Sequence, residues 1–83
     1  MEEFLREHGF EEAEDYDDVL ECTFDADDPI LAELGVDIED GDFATIQFNT
    51  STREVEVFWD GGYGDVALDE LREVERSYSH SSR

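Results

Sequence analysis

Between Phe43 and Trp59, apolar and polar positions alternate in two runs that answer each other. Ala44, Ile46 and Phe48 fall on one side of the first run, with Thr45, Gln47 and Asn49 on the other. Val55, Val57 and Trp59 fall on one side of the second run, with Glu54, Glu56 and Phe58 on the other. A period of two marks a half-buried strand, and the polar residues 50–53 have the length of a four-residue hairpin loop. Phe58 is apolar on the polar side and marks a place where that surface is expected to be covered. A third strand is read over Val19–Asp25, with Leu20, Cys22 and Phe24 inward and Glu21 and Thr23 outward.

Helical signals surround these strands. Residues 2–8 are good helix formers, with Phe4, Leu5 and His8 on one side, and Gly9 stands where a helix stops. Asp28 suits an N-cap and Pro29 the first helical position, where its missing N–H costs nothing. Ile30, Leu31 and Leu34 give that short helix an apolar face, and Gly35 ends it. Residues 61–64 (Gly-Gly-Tyr-Gly) read as a loop, followed by Asp65 as an N-cap. Ala67, Leu71, Val74 and Tyr78 then recur at spacings of four, three and four, a stripe that must lie on something apolar. Residues 11–18 fit either a second helical turn or a solvated loop.

The expected architecture is α+β: a small antiparallel three-stranded sheet with a C-terminal helix packed on one face and short additional helices. One domain over residues 1–78 and a frayed polar tail over 79–83 account for the chain. Such a domain is thin in core volume and leaves two sheet edges. A homodimer, through sheet edges or the face bearing Phe58, would relieve both; a monomer is the alternative.

Composition changes this picture through charge. The 83 residues carry 26 Asp and Glu against 5 Arg and no Lys, a formal net charge of −21. Leu, Ile, Val and Phe still make up about a quarter of the chain, above the level below which such a sequence is read as disordered. Self-repulsion on this scale swells a compact state at low ionic strength, where the Debye length is roughly 30 Å at 0.01 M salt against about 3 Å at 1 M. In this acidity along the whole chain, with no Lys, the sequence resembles the small acidic proteins of haloarchaea, many without an assigned role. The resemblance implies a potassium-rich cytoplasm as its setting, salt-dependent folding, and no particular function. Nucleic acid and anionic membranes are disfavoured as partners, since few cations exist to replace counterions. A basic leader, or an apolar run of the roughly 20 residues that cross a bilayer, is not found, so a cytoplasmic location is expected.

Candidate chemistry is sparse. The glycines at 61–64 lack the Walker and dinucleotide patterns and are flanked by Asp60 and Asp65, which oppose a phosphate. A plain connection is the reading, with Trp59 and Tyr63 as rings on which a planar ligand could stack. Asp25, Asp27 and Asp28, and Asp37, Glu39, Asp40 and Asp42, are acid groupings without the spacing of an EF-hand; a solvated face accounts for them. Cys22, His8 and His80 fit no zinc spacing, and Cys22 serves as a small apolar residue on the inner side of its strand. No catalytic residue, metal or cofactor is assigned. Phe58, Trp59 and Tyr63 form the candidate ligand or interaction surface.

The functional expectation is a noncatalytic, salt-adapted protein working through protein–protein interaction or accessory regulation. The alternatives are a small-ligand-sensing module using the turn at 59–65, and an acidic decoy for a basic protein.

Overall fold

The alternating segments pair in the register that puts like parity on one side. In β2 (Val19–Asp25), β3 (Phe43–Asn49) and β4 (Val55–Trp59), Leu20 lies opposite Phe48 and Phe48 opposite Val55, while Cys22 lies opposite Ile46 and Ile46 opposite Val57. The computed structural model describes residues 2–81, with side chains described for 2–77. The turn between β3 and β4 is the expected four-residue loop: Arg53 N donates to Asn49 O at 2.8 Å, and Asn49 N to Glu54 O at 2.9 Å. Asn49 Oδ1 also accepts from the amides of Ser51 and Thr52, both at 2.9 Å.

The sheet has five strands, where alternation predicted three. With β1 (Glu11–Glu12) and β5 (Gly62–Val66) added at the two edges, its order is β1-β2-β3-β4-β5, every neighbour antiparallel. One added strand, β1 (Glu11–Glu12), places Glu11 opposite Glu21 and Glu12 opposite Leu20. Residues 11–18 are thus neither a helical turn nor wholly loop, and after β1 the Ala13 amide donates to Val19 O at 2.9 Å. The other, β5 (Gly62–Val66), takes in the glycines read as a loop. The connection from β4 shrinks to Asp60 and Gly61, with Trp59 opposite Gly62. Gly61 adopts φ +94°, a conformation glycine takes without a Cβ penalty.

The physical reason β5 was hidden is Trp59. Its indole lies over Gly62 and Gly64, such that a Cβ on Gly62 would stand 2.9 Å from Trp59 Nε1. The inner side of β5 at Gly62 and Gly64 is therefore filled by a ring from the neighbouring strand, and only Val66, opposite Val55, buries a side chain of its own.

Three helices cover one face. Phe4 and Leu5 of α1 (Glu2–Glu7), Ile30 and Leu31 of α2 (Pro29–Glu33), and Leu71 and Val74 of α3 (Leu68–Ser81) join the inner side chains of the sheet in one buried cluster. The α2 cap forms as expected, with Asp28 Oδ1 accepting from Ile30 N at 3.0 Å. Asp65 caps nothing, because it belongs to β5; α3 starts where Ala67 O accepts from Glu70 N at 3.0 Å. Ala67 is exposed, so the buried part of the stripe is Leu71 and Val74. The side chain of Tyr78 and, apart from helical backbone to Ser81, the tail 79–83 lie outside the described residues.

Candidate functional site

With every helix on the inner face, the outer face of the sheet is left to its own side chains. Period-two geometry puts Glu21 and Thr23 of β2, Phe43, Thr45 and Gln47 of β3, Glu56 and Phe58 of β4, and Tyr63 and Asp65 of β5 on that side. The large apolar side chains exposed among the described residues are Tyr16 (59%), Phe43 (59%), Phe58 (37%) and Tyr63 (73%). Phe43, Phe58 and Tyr63 sit on the outer face itself. Tyr16, from the loop after β1, stands beside it, lining one hollow with Val19, Gln47 and Phe58 and a second with Glu21, Thr23 and Thr45.

Register arranges this face into two rows running across the strands. The first is Thr23, Thr45, Phe58 and Tyr63, each opposite the next. The threonine hydroxyls are hydrogen-bonded at 2.9 Å, and the Phe58 and Tyr63 rings stack with centroids 6.2 Å apart and planes at 28°. The second row is Glu11, Glu21, Gln47, Glu56 and Asp65, four carboxylates about a neutral centre. Gln47 Nε2 donates to Glu21 Oε2 at 3.0 Å. Like charges directly opposite one another destabilise a strand pair, and two such pairs occur here, Glu11 with Glu21 and Glu56 with Asp65.

No ion pair among the described residues involves this row, although Arg53 lines a hollow with Glu56 and Asp65 at one end of it. Arg6 pairs with Glu12 at 3.3 Å and Arg72 with Asp69 at 4.0 Å, while the Arg53 guanidinium lies 5.8 Å from the centroid of Phe48. The outward positions of β2 to β5 contain no basic residue.

Of the three residues the sequence singled out, the structure joins Phe58 with Tyr63 and separates Trp59 from both. Trp59 pairs with Ala44 and Gly62 on the inner side and packs half-buried against the core. Trp59 and Tyr63 thus project from opposite faces and do not form a common stacking platform. Tyr16, Phe43, Glu56 and Asp65 join the site without having been singled out. Phe43 shares parity with Thr45, a signal that was legible; Tyr16 owes its place to a loop and had none.

Cys22 packs half-buried against the core, its Sγ 3.8 Å from Thr23 O. Burial pushes its thiol pKa up, and the nearby Asp28 and Glu11 carboxylates push the same way. The His8 ring lies 4.6 Å from that of Phe4, and the side chain of His80 is outside the described residues. Among the described residues, no three His, Cys, Asp or Glu side chains converge to hold a metal, and no helix is long and apolar enough to cross a membrane. Comparison with family models, curated proteins and solved structures finds no match to this chain.

Proposed function

We propose that the chain is a noncatalytic protein-interaction module whose working surface is the outer face of the sheet, serving an accessory or regulatory role in a salt-rich cytoplasm. One observation carries the reading: the exposed large apolar side chains gather on or beside the single face that no helix covers. Apolar exposure gathered on one face, with Phe58 stacked on Tyr63 and Tyr16 lining a hollow with Phe58, is the kind that marks interaction sites, whereas scattered single residues need no explanation. The net charge of −21 sets the surface against nucleic acid and anionic membranes on sign alone.

Salt adaptation rests on the same face. Two pairs of opposed carboxylates and a large anionic surplus oppose folding in dilute solution, and molar salt shortens their reach to about 3 Å. Circular dichroism during dialysis from molar potassium chloride into low salt is expected to show loss of the cooperative transition, regained on return. A fold equally stable in both solvents overturns the salt reading.

The interaction reading is tested by comparing wild type with Phe58→Ser/Tyr63→Ser, both tagged and captured from native extract in molar potassium chloride. Wild type is expected to retain a stoichiometric protein that the variant loses while keeping its circular dichroism spectrum. Identical retained proteins for both refute a role for this face.

A further inference from the structure

Resting on the interaction reading, we propose that the outer face takes an arginine-bearing extended segment of a protein partner, with a guanidinium seated on Phe58 and Tyr63 beside the carboxylates of Glu56 and Asp65 in the adjacent row. Three features of the face specify that chemistry together.

The first is the adjacency of acid and ring. Glu56 and Phe58 are two residues apart on β4, and Tyr63 and Asp65 two apart on β5, so each ring and a carboxylate leave the same side of one strand from backbone positions about 7 Å apart. Register brings the two sets side by side, Glu56 opposite Asp65 and Phe58 opposite Tyr63. A planar cation can thus lie on an aromatic face and direct its fork of donors at a carboxylate. Arg meets both demands, since guanidinium stacks on rings and pairs with carboxylates through two parallel hydrogen bonds, whereas Lys offers a compact, strongly hydrated point charge.

The second is the surplus of acid. Among the described residues, neither Glu56 nor Asp65 forms an ion pair, Arg53 is the one cation lining a hollow with them, and the row they belong to crosses all five strands. Four interstrand spacings of about 4.8 Å make it roughly 19 Å long, the span of about six residues of extended chain.

The third is the competing occupant. A second copy laid face to face brings one row of four carboxylates into contact with another, inside the roughly 3 Å over which charge still acts in molar salt, whereas a basic segment is complementary at that contact. In molar salt long-range steering is screened, and selectivity must come from contact geometry, which the stacked Phe58–Tyr63 pair supplies.

The test is a nuclear magnetic resonance titration of the full chain in molar potassium chloride with two short peptides, one alternating Arg and Thr and one alternating Lys and Thr. The Arg peptide is expected to shift the amides around Glu56, Phe58, Tyr63 and Asp65 saturably and to bind several-fold more tightly than the Lys peptide. Glu56→Gln/Asp65→Asn and Phe58→Ser/Tyr63→Ser should each weaken it at least several-fold, the former leaving fold and core signals unchanged. Equal affinities for both peptides, or shifts spread over all acidic segments, reduce the effect to general charge attraction and overturn the proposal. A concentration-dependent dimer in light scattering that Phe58→Glu abolishes overturns it in favour of a second copy. If Phe58→Ser/Tyr63→Ser loses a captured protein while the Arg peptide fails to bind, the interaction reading stands and the arginine assignment falls.

Discussion

Replacing Gly62 by Ala tests the contact that makes β5 a strand. A Cβ there would lie 2.9 Å from Trp59 Nε1, 3.0 Å from Cε2 and 3.1 Å from Cζ2, all atoms of a rigid, half-buried ring. Carbon atoms in favourable contact sit about 3.5–4.0 Å apart, so the indole must shift by roughly half an ångström or β5 must lift. Overpacking of this kind costs about 1–3 kcal/mol, and the reduced freedom of the unfolded chain returns about 0.4–1 kcal/mol. At mid-range the net loss is about 1 kcal/mol. At roughly 4–8 °C per kcal/mol for a domain of this size, Tm falls by several degrees or more. Gly64→Ala is the internal control, because its Cβ would meet Trp59 Cη2 at 3.5 Å, an ordinary contact; its Tm should hold or rise. Thermal unfolding in molar potassium chloride, followed by circular dichroism and Trp59 fluorescence, measures both. If Gly62→Ala is as stable as Gly64→Ala, the indole does not rest on these glycines and the account of β5 is wrong.

Asp28→Ala removes the cap on Ile30 N and should cost about 1 kcal/mol, with Asp28→Asn close to wild type because the amide oxygen still accepts; equal losses in the two variants contradict the cap. The raised thiol pKa of Cys22 has a definite sign: the unfolded thiol releases its proton first, so its contribution is complete below the ordinary thiol value and declines as pH rises past it. Denaturant unfolding at neutral and alkaline pH should therefore show wild type losing more stability than Cys22→Ala, and parallel losses would exclude the effect.

Strands β2 and β3 were legible to their ends because each alternates against a covered face and an open one, so their own side chains report the pleat. At β5 two of the three inner positions are Gly62 and Gly64, filled by Trp59, and only Val66 at the strand's end is an apolar side chain of its own, so the filling is a non-local fact that no local pattern encodes. At β1 there are two acids and nothing to bury, so pairing with Glu21 and Leu20 is decided by the neighbouring strand alone. The site divides in the same way. Phe58 was visible as an apolar residue on a polar side, whereas the carboxylate row exists only through the register of five strands, and Asp65 read locally as a cap. Trp59 was grouped with Tyr63 by nearness in sequence, but their parity places them on opposite sides of the sheet.

Every strand in this sheet hydrogen-bonds to its neighbour in sequence, and this bears on how the chain assembles. A turn as short as Asp60–Gly61 closes at little cost in chain entropy. One detour interrupts the sequence: residues 26–42 depart after β2 and return so that Asp25 faces Phe43 and Ala26 N donates to Asp42 O at 3.1 Å. Closing it costs roughly 1 kcal/mol more than the loop at 50–53, at about 0.6 kcal/mol per doubling of length. On chain entropy alone, β2 to β3 is the most expensive closure between neighbouring strands, and α2, carried inside the detour, rests in the core that both strands line.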